Sequence, residues 1–158
     1  MSDDGQPYRF HHTVGVRFKD IDVGGHAHHS IALVYFEEAR AAYWREVVGR
    51  TGLGDIDYIL AEATVRWHRR ILWPASLDVA VRVPLVARKH FIMEYVADTP
   101  AGERMLRGST VQVTYDYAAG ASKRIPDDVS EITIQRHQDG VETLRLRQDH
   151  AHRAHRAP

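Results

Sequence analysis

Hydrophobic and polar residues alternate near the start of the chain, over the stretch from Tyr8 to Phe18. Every second position carries an aromatic residue, a valine or a histidine, and the positions between them are polar or glycine. A period of two that is rich in aromatic and β-branched residues predicts a half-buried strand. The next segment, 19–25, contains two aspartates and a Gly-Gly pair, which predicts a loop.

The hydrophobic period changes to about 3.6 residues between Ser30 and Gly49, which predicts a helix. Its apolar stripe is broad, and because further apolar residues lie outside the stripe, we expect the helix to be buried on more than one side. About 20 residues would make it about 30 Å long, comparable with the diameter of a small domain. The stripe comprises Ile31, Ala32, Tyr35, Phe36, Ala39, Ala42, Tyr43 and Val47, and outside it lie Leu33, Val34, Trp44 and Val48.

Alternation returns after the helix in four segments that we predict to be strands, at residues 63–67, 77–85, 90–97 and 105–117. A strong turn signal at 98–102 separates the last two, and Pro84 suggests an edge position or a bulge. Because no further helix separates these strands, they should be largely antiparallel. The predicted fold class is α+β, with one antiparallel sheet wrapped around one long central helix.

The length of 158 residues is typical of a single domain. We expect residues 1–134 to form this domain, with a short helix or strand near its end at 130–134. Residues 135–158 are rich in histidine and arginine and have few apolar side chains. They are therefore predicted to be a largely disordered tail.

Charge and composition exclude several classes of function. Lys plus Arg number 21 and Asp plus Glu also number 21, so no overall field attracts nucleic acid or anionic lipid. The absence of cysteine excludes disulfides, Cys-ligated zinc and Cys nucleophiles. The polar, acidic start does not resemble a signal peptide, and no apolar run is long enough to span a membrane. We expect a cytoplasmic protein with neither a nucleic-acid nor a membrane partner.

The candidate chemistry lies in the loop and helix start at residues 18–30, where two aspartates, two glycines and three histidines occur together. Free N–H groups at a helix start can bind an oxyanion, and the glycines allow a ligand to approach the backbone. Asp22 and the histidines could act as nucleophile, base or acid. A purely structural interpretation stays open, in which Asp22 and Ser30 are turn and cap residues and the histidines are solvated.

This region also matches a specific pattern. Asp-x-Asp-x-x-Gly stands at 20–25, a His-rich segment at 26–29, Tyr-Phe-Glu-Glu-Ala-Arg at 35–40, Pro74 before a long strand, and Lys-Arg-Ile-Pro at 123–126. In these motifs the chain resembles the hotdog-fold acyl-CoA thioesterases of the 4-hydroxybenzoyl-CoA thioesterase type, including the YbgC-like and FadM-like members. The resemblance covers roughly residues 8–134 and implies the same strand–helix–strands order that the periodicity predicts.

The resemblance implies roles for particular residues. Asp22 takes the place of the essential carboxylate, which attacks the thioester carbonyl or activates a water, and His29 and His26 match the family's active-site histidines. The oxyanion would be held by the backbone N–H of His29 or Ser30. Glu37 matches the family's helix glutamate and gives possible support.

Three further positions near this site are interpreted differently. We expect Glu37 to pair structurally with Arg40 or with a backbone group. Asp20 is expected to stabilise the loop. Phe18 stands where YbgC-like members often carry a tyrosine four residues before the aspartate, so a hydroxyl is missing there.

The substrate implied by the resemblance is an acyl-CoA or acyl-carrier-protein thioester, hydrolysed to free acid and thiol. Phosphate groups of coenzyme A need basic partners. The candidates are Arg69, Arg70, Arg88, Lys89, Lys123 and Arg124, of which the resemblance favours Arg88, Lys89, Lys123 and Arg124. Family members assemble as dimers and often tetramers, and the apolar residues outside the helix stripe support a homo-oligomer.

Two other functions stay open on the sequence alone. A hotdog hydratase or dehydratase also uses an aspartate and a histidine four residues apart, as in Asp22 and His26. A non-catalytic acyl-CoA-binding protein is the third possibility. Imidazole binds zinc and nickel, but His26, His28 and His29 follow no definite metal-binding spacing, so we expect no metal and no cofactor.

Overall fold

The computed structural model describes residues 7–52 and 57–133. The predicted tail at 135–158 lies outside the described residues. The main elements are β1 (Phe10–Val16), α1 (Ile31–Tyr43), β2 (Tyr58–Trp67), β3 (Ala75–Val86), β4 (His90–Asp98), β5 (Arg104–Asp116) and β6 (Ala121–Ser122). A 3₁₀ turn spans Phe18–Asp20, a π-helical turn spans Trp44–Val48 after α1, and residues 127–133 form a short helix.

The strands form one antiparallel sheet in the order β1-β3-β4-β5-β2, with β6 beside the end of β5. Helix α1 packs against the sheet, so the predicted hotdog arrangement is confirmed. Two details of the sequence interpretation are also confirmed. Pro84 lies within the bulge of the β3–β4 pairing, and Gly49 ends the helical segment with a left-handed φ of 77°.

Helix α1 approaches the sheet closely at Gly108 in β5. Phe36 of α1 stacks on Tyr95 of β4 with ring centroids 4.5 Å apart, and its edge lies over Gly108. A β-carbon at position 108 would stand 2.3 Å from Phe36 Cε2 and 2.6 Å from the backbone oxygen of Thr64. Glycine at this position therefore sets how closely the helix can lie on the sheet.

Gly108→Ala should destabilise the protein by about 3 kcal/mol, because overpacking a core typically costs about 1–3 kcal/mol and one of the clashing atoms is backbone. Urea unfolding followed by circular dichroism measures this change. Gly15→Ala is the matched control, since Gly15 is also a strand glycine but has no atom within 4 Å of the added β-carbon. Equal midpoints for Gly108→Ala and wild type would contradict this account of the packing.

Strand β5 presents the less apolar of its two faces to the helix. The alternation at 105–117 places Met105, Val111 and Val113 on one face, which is the more apolar of the two. In the structure this is the outer face of the sheet, away from the helix. The helix-facing side carries Leu106, Gly108, Thr110, Gln112 and Thr114, all buried. Polar side chains are tolerated there because they bond to one another and to the core, as Thr110 does to the Tyr95 hydroxyl at 2.9 Å.

Strand β2 forms one edge of the sheet. Among the described residues its outer side pairs with no strand. Its helix-facing positions include Leu60, 47% exposed, the exposed Ala63 and the half-buried Trp67. A long edge strand with apolar residues left uncovered is a surface that natural proteins usually cover.

Among residues 7–52 and 57–133, no helix combines the length and the hydropathy needed to cross a bilayer.

Candidate active site

Asp22 lies in a tight turn between β1 and α1. Its N–H donates to the His26 carbonyl at 2.9 Å, and its own carbonyl accepts from Gly25 N–H at 3.0 Å. Gly25 adopts a left-handed φ of 75°, which favours glycine. Asp22 Oδ1 also accepts from Gly24 N–H at 2.7 Å. The sequence Asp-Val-Gly-Gly-His therefore holds one carboxylate oxygen in place.

The second carboxylate oxygen faces His26. Asp22 Oδ2 lies 3.8 Å from His26 Nδ1, and the two side chains are 23% and 37% exposed. A β-carbon on Gly24 would lie 3.0 Å from Asp22 Oδ1 and 3.1 Å from His26 Nε2. Because glycine has no β-carbon, the space between the Asp22 and His26 side chains stays open. The structure thus brings together a fixed, accessible carboxylate and an imidazole.

The start of α1 offers one backbone donor beside this turn. The Ser30 N–H donates to the His28 ring at 3.2 Å, and that ring also contacts the Ser30 hydroxyl at 2.8 Å. His29 N–H has no acceptor in the part of the chain that the structure describes. Of the two predicted oxyanion donors, His29 is therefore the one whose N–H has no acceptor among the described residues.

The His29 side chain does not meet Asp22 within the described residues. Its ring lies against that of His28 with centroids 4.0 Å apart and the ring planes tilted by 35°, and both residues are exposed. The candidate carboxylate–histidine pair is therefore Asp22 with His26, while His29 remains a candidate through its backbone N–H. In the described segments, no three His, Asp or Glu side chains lie close enough to hold a metal ion.

Asp20 is buried directly beneath the turn, with 2% of its surface exposed. Its carboxylate accepts from Arg17 N–H at 2.9 Å, Arg17 Nε at 3.1 Å and the Tyr35 hydroxyl at 3.0 Å, and Arg17 also pairs with Glu38 at 3.0 Å. Burial alone would raise the pKa of Asp20, but these hydrogen bonds outweigh it and hold the pKa below its ordinary value. The contacts support the loop-stabilising interpretation of Asp20.

Glu37 does not form the pair with Arg40 expected from the sequence. Glu37 is exposed, whereas Arg40 is buried, donates to the Tyr95 hydroxyl at 3.4 Å and lies over the Tyr58 ring. Within the described residues no ion pair joins the two, so the expected pairing of Glu37 with Arg40 was wrong. The reason is that Arg40 points into the sheet while Glu37 remains at the surface of α1.

The predicted coenzyme A cations lie at the other end of the sheet from Asp22. Val16, which leads to Asp22, pairs with the first residue of β3, whereas the cations follow the last residue of β3 and the end of β5. Arg88 and Arg124 line a cavity of about 280 Å³, and Lys123 pairs with Asp57 at 3.3 Å. Within one chain these cations and Asp22 do not share a site.

An aromatic pair between the loop that carries Asp22 and the loop before β3 was missed in the sequence. Phe18 and Trp73 meet edge to face with centroids 5.4 Å apart, and both are largely exposed. Their loops are joined by a hydrogen bond from Ala27 N–H to the Ile71 carbonyl at 2.8 Å. Nothing in the local pattern links positions 18 and 73.

Comparison with known proteins assigns this chain to a family. A sequence profile of the thioesterase-like superfamily matches residues 16–133, which include the Asp22 turn, α1 and all but the start of the sheet. The chain belongs to this superfamily. The resemblance drawn from the sequence is thus confirmed, and with it the expectation that the protein is a thioesterase.

Individual relatives agree with this placement. The uncharacterized protein YsmA of Bacillus subtilis is 23% identical over 80% of this chain and 86% of its own length. A predicted thioesterase from Bacillus stearothermophilus superposes with a TM-score of 0.74 at 16% identity, covering 81% of this chain and 95% of its own. A Thermus thermophilus thioesterase complexed with coenzyme A and Zn gives a TM-score of 0.70 at 26% identity, covering 80% and 98%.

Proposed function

We propose that this thioesterase hydrolyses an acyl-CoA thioester to a free acid and a thiol, with Asp22 as the group that carries the reaction. The observation that carries the proposal is the Asp22 carboxylate itself, fixed by Gly24 N–H on one oxygen and open toward His26 on the other. Coenzyme A in the Thermus thermophilus relative supports the choice of thiol.

The geometry fits two versions of the reaction. As a general base, Asp22 takes a proton from water while the water oxygen bonds to the carbonyl carbon. As a nucleophile, Asp22 itself bonds to that carbon and forms an anhydride that water then cleaves. In both versions the oxyanion is stabilised by helix-start N–H groups, of which His29 N–H has no acceptor among residues 7–52 and 57–133. The carbon–sulfur bond breaks when the tetrahedral oxyanion collapses, which gives the free acid in the first version and the anhydride in the second. The leaving thiolate takes a proton that comes from protonated Asp22 in the first version and from the water that cleaves the anhydride in the second, and His26 beside Asp22 can relay it.

Binding of the coenzyme A phosphates involves a second subunit in this proposal. If two β2 edges pair antiparallel about a two-fold axis, the far end of one sheet lies beside the Asp22 end of the other. Arg88, Lys89, Lys123 and Arg124 of the partner subunit would then approach the mouth of the site. This arrangement accounts for their distance from Asp22 within one chain.

The protein should therefore sediment at micromolar concentration with at least twice the mass of its 18.0 kDa chain. Leu60→Arg, at the uncovered side of β2, should shift it toward the monomer and lower turnover, because a charge there opposes apolar contact. Leu85→Arg is the matched control, since Leu85 is 42% exposed but lies on β3. A wild-type monomer with full activity would contradict the pairing.

The activity itself is tested by a thiol-release screen over acyl-CoA substrates of different length and ring content. We expect release of free thiol from at least one of them, with the matching free acid as the other product. An enoyl-CoA that loses its double bond without releasing thiol would indicate a hydratase instead. Saturable binding of acyl-CoA with no chemical change would indicate a binding protein.

A further inference from the structure

Helix α1 begins without a serine cap. Ser30, the residue before Ile31, already has helical dihedral angles, with φ −75° and ψ −20°, and its side chain makes no capping hydrogen bond. Its hydroxyl turns back to the His28 ring instead, 2.8 Å away. Because the first N–H groups of a helix have no partner inside it, another group must accept from them.

His28 makes the contacts of an N-cap residue. Its ring nitrogen Nδ1 accepts from Ser30 N–H, two residues further on, at 3.2 Å, and its carbonyl accepts from Ile31 N–H at 2.9 Å. An N-cap residue accepts through its side chain from the second or third N–H of the helix, and through its carbonyl from the first intrahelical donor. The imidazole of His28 therefore takes the place of the serine, aspartate or asparagine oxygen that is usual at this position.

These bonds also define the protonation state of the His28 ring. A backbone N–H can only donate, so Nδ1 presents a lone pair to Ser30. The capping ring is therefore neutral and carries its hydrogen on Nε2, and the Ser30 hydroxyl donates to the same Nδ1. A neutral ring also suits the place, because the start of a helix carries a partial positive charge.

The backbone of His28 fixes the cap to the loop that carries Asp22. His28 N–H donates to the carbonyl of the buried Asp20 at 2.8 Å. The preceding residue, Ala27, donates its N–H to the Ile71 carbonyl at 2.8 Å. The cap thus connects the start of α1 to a segment of backbone that is itself anchored.

The cap decides which N–H group is left for a ligand. Of the four consecutive N–H groups at residues 28–31, the first donates to the Asp20 carbonyl and the last two donate to His28. The N–H of His29 is the one of these four with no acceptor in the described part of the chain. It lies between two bonded neighbours, so its direction is fixed by both.

We propose that His28 is a positioning residue for the oxyanion donor of the Asp22 site. The inference rests on the proposed thioester hydrolysis, in which His29 N–H binds the carbonyl oxygen. By capping α1, the His28 ring occupies Ser30 N–H and holds the first turn of the helix against the loop. A donor held in place stabilises an oxyanion better than one that must reorganise during the reaction.

His28→Ala should lower kcat for acyl-CoA hydrolysis about tenfold and change KM by less than about twofold, because a loosened donor acts mainly on the transition state. His28→Asn should recover most of kcat, since the asparagine oxygen can accept from the same N–H and asparagine is a preferred N-cap residue. His11→Ala is the matched control and should leave kcat unchanged. His11 is likewise an exposed histidine with a bonded ring, which contacts Asp78 at 2.6 Å on β1.

The carbonyl stretching frequency of a bound acyl-CoA, labelled with ¹³C at the thioester, gives a readout besides activity. In the slow variant Asp22→Asn, binding should lower this frequency, because a hydrogen bond to the oxygen weakens the C=O bond. Adding His28→Ala should remove much of the shift, and adding His28→Asn should preserve it. Both measurements are made at a temperature where circular dichroism shows each variant fully folded, since loss of one cap lowers stability only modestly.

Three results would overturn the proposal: an unchanged kcat in His28→Ala, an equally slow His28→Asn, or a carbonyl frequency that does not depend on residue 28. The absence of any carbonyl shift in the presence of acyl-CoA would also overturn it. Failure of the underlying function looks different. If the wild type releases no thiol, yet the carbonyl shift appears on binding and is lost in His28→Ala, the hydrolytic proposal fails and the positioning role of His28 stands.

Discussion

Asp22→Asn should fold like the wild type and lose about 100-fold or more in turnover. Asparagine has nearly the same size, and its side-chain oxygen can still accept from Gly24 N–H, so the turn is kept. The amide can neither attack the thioester carbonyl nor take a proton from water, however. Steady-state thiol release on the best acyl-CoA measures the loss, and thermal unfolding and sedimentation confirm that fold and mass are unchanged.

Asp22→Asn should lower turnover without weakening substrate binding. Acyl-CoA binding by Asp22→Asn should persist, because removing a negative charge near the carbonyl does not disturb contacts to the phosphates. Turnover within about threefold of wild type would show that Asp22 is only a turn residue. The catalytic role would then pass to Glu37 or to a water held by the histidines.

The secondary structure could be predicted because its causes are local. The period of two in β1 and the broad 3.6-residue stripe of α1 both reflect which side chains face the core, and the glycine that ends the helical segment acts through its own φ. The face of β5 was harder to predict. There Gly108 admits Phe36, and buried threonines bond to core partners, so shape and hydrogen bonding outweigh apolar character.

The site could be predicted only in part, because some of its contacts join residues that lie far apart in the sequence. The Asp22 turn is built from five consecutive residues, and its chemistry is visible in their types. The meeting of Phe18 with Trp73 depends on how two distant loops fold together, which no local pattern encodes. The separation of Asp22 from Arg88, Lys89, Lys123 and Arg124 likewise follows from the strand pairing. Because Asp22 and these cations lie at opposite ends of β3, they cannot converge within one chain.

Stability of the loop that carries Asp22 should depend on Asp20 more than on any other charged residue near the site. Asp20→Ala removes the acceptor for Arg17 N–H, Arg17 Nε and the Tyr35 hydroxyl at once. Leaving buried donors without a partner costs about 1–3 kcal/mol for each group. We therefore expect a loss of about 3 kcal/mol in the free energy of unfolding. Activity should also fall, because the Asp20 backbone carbonyl accepts from His28 N–H and shifts with the loop once the side-chain contacts are lost.

The size and sign of this effect can be checked by urea unfolding at several pH values. The folded-state pKa of Asp20 lies below its unfolded value of about 3.9, so its stabilising contribution is complete above that value and is lost as pH falls through the folded-state pKa. The difference between wild type and Asp20→Ala should therefore be largest near neutral pH and shrink in acid. Tyr35→Phe, which removes only one of the three donors, should lose about 1 kcal/mol. A difference that stays constant from neutral pH down to acid would show that the Asp20 charge does not stabilise the loop.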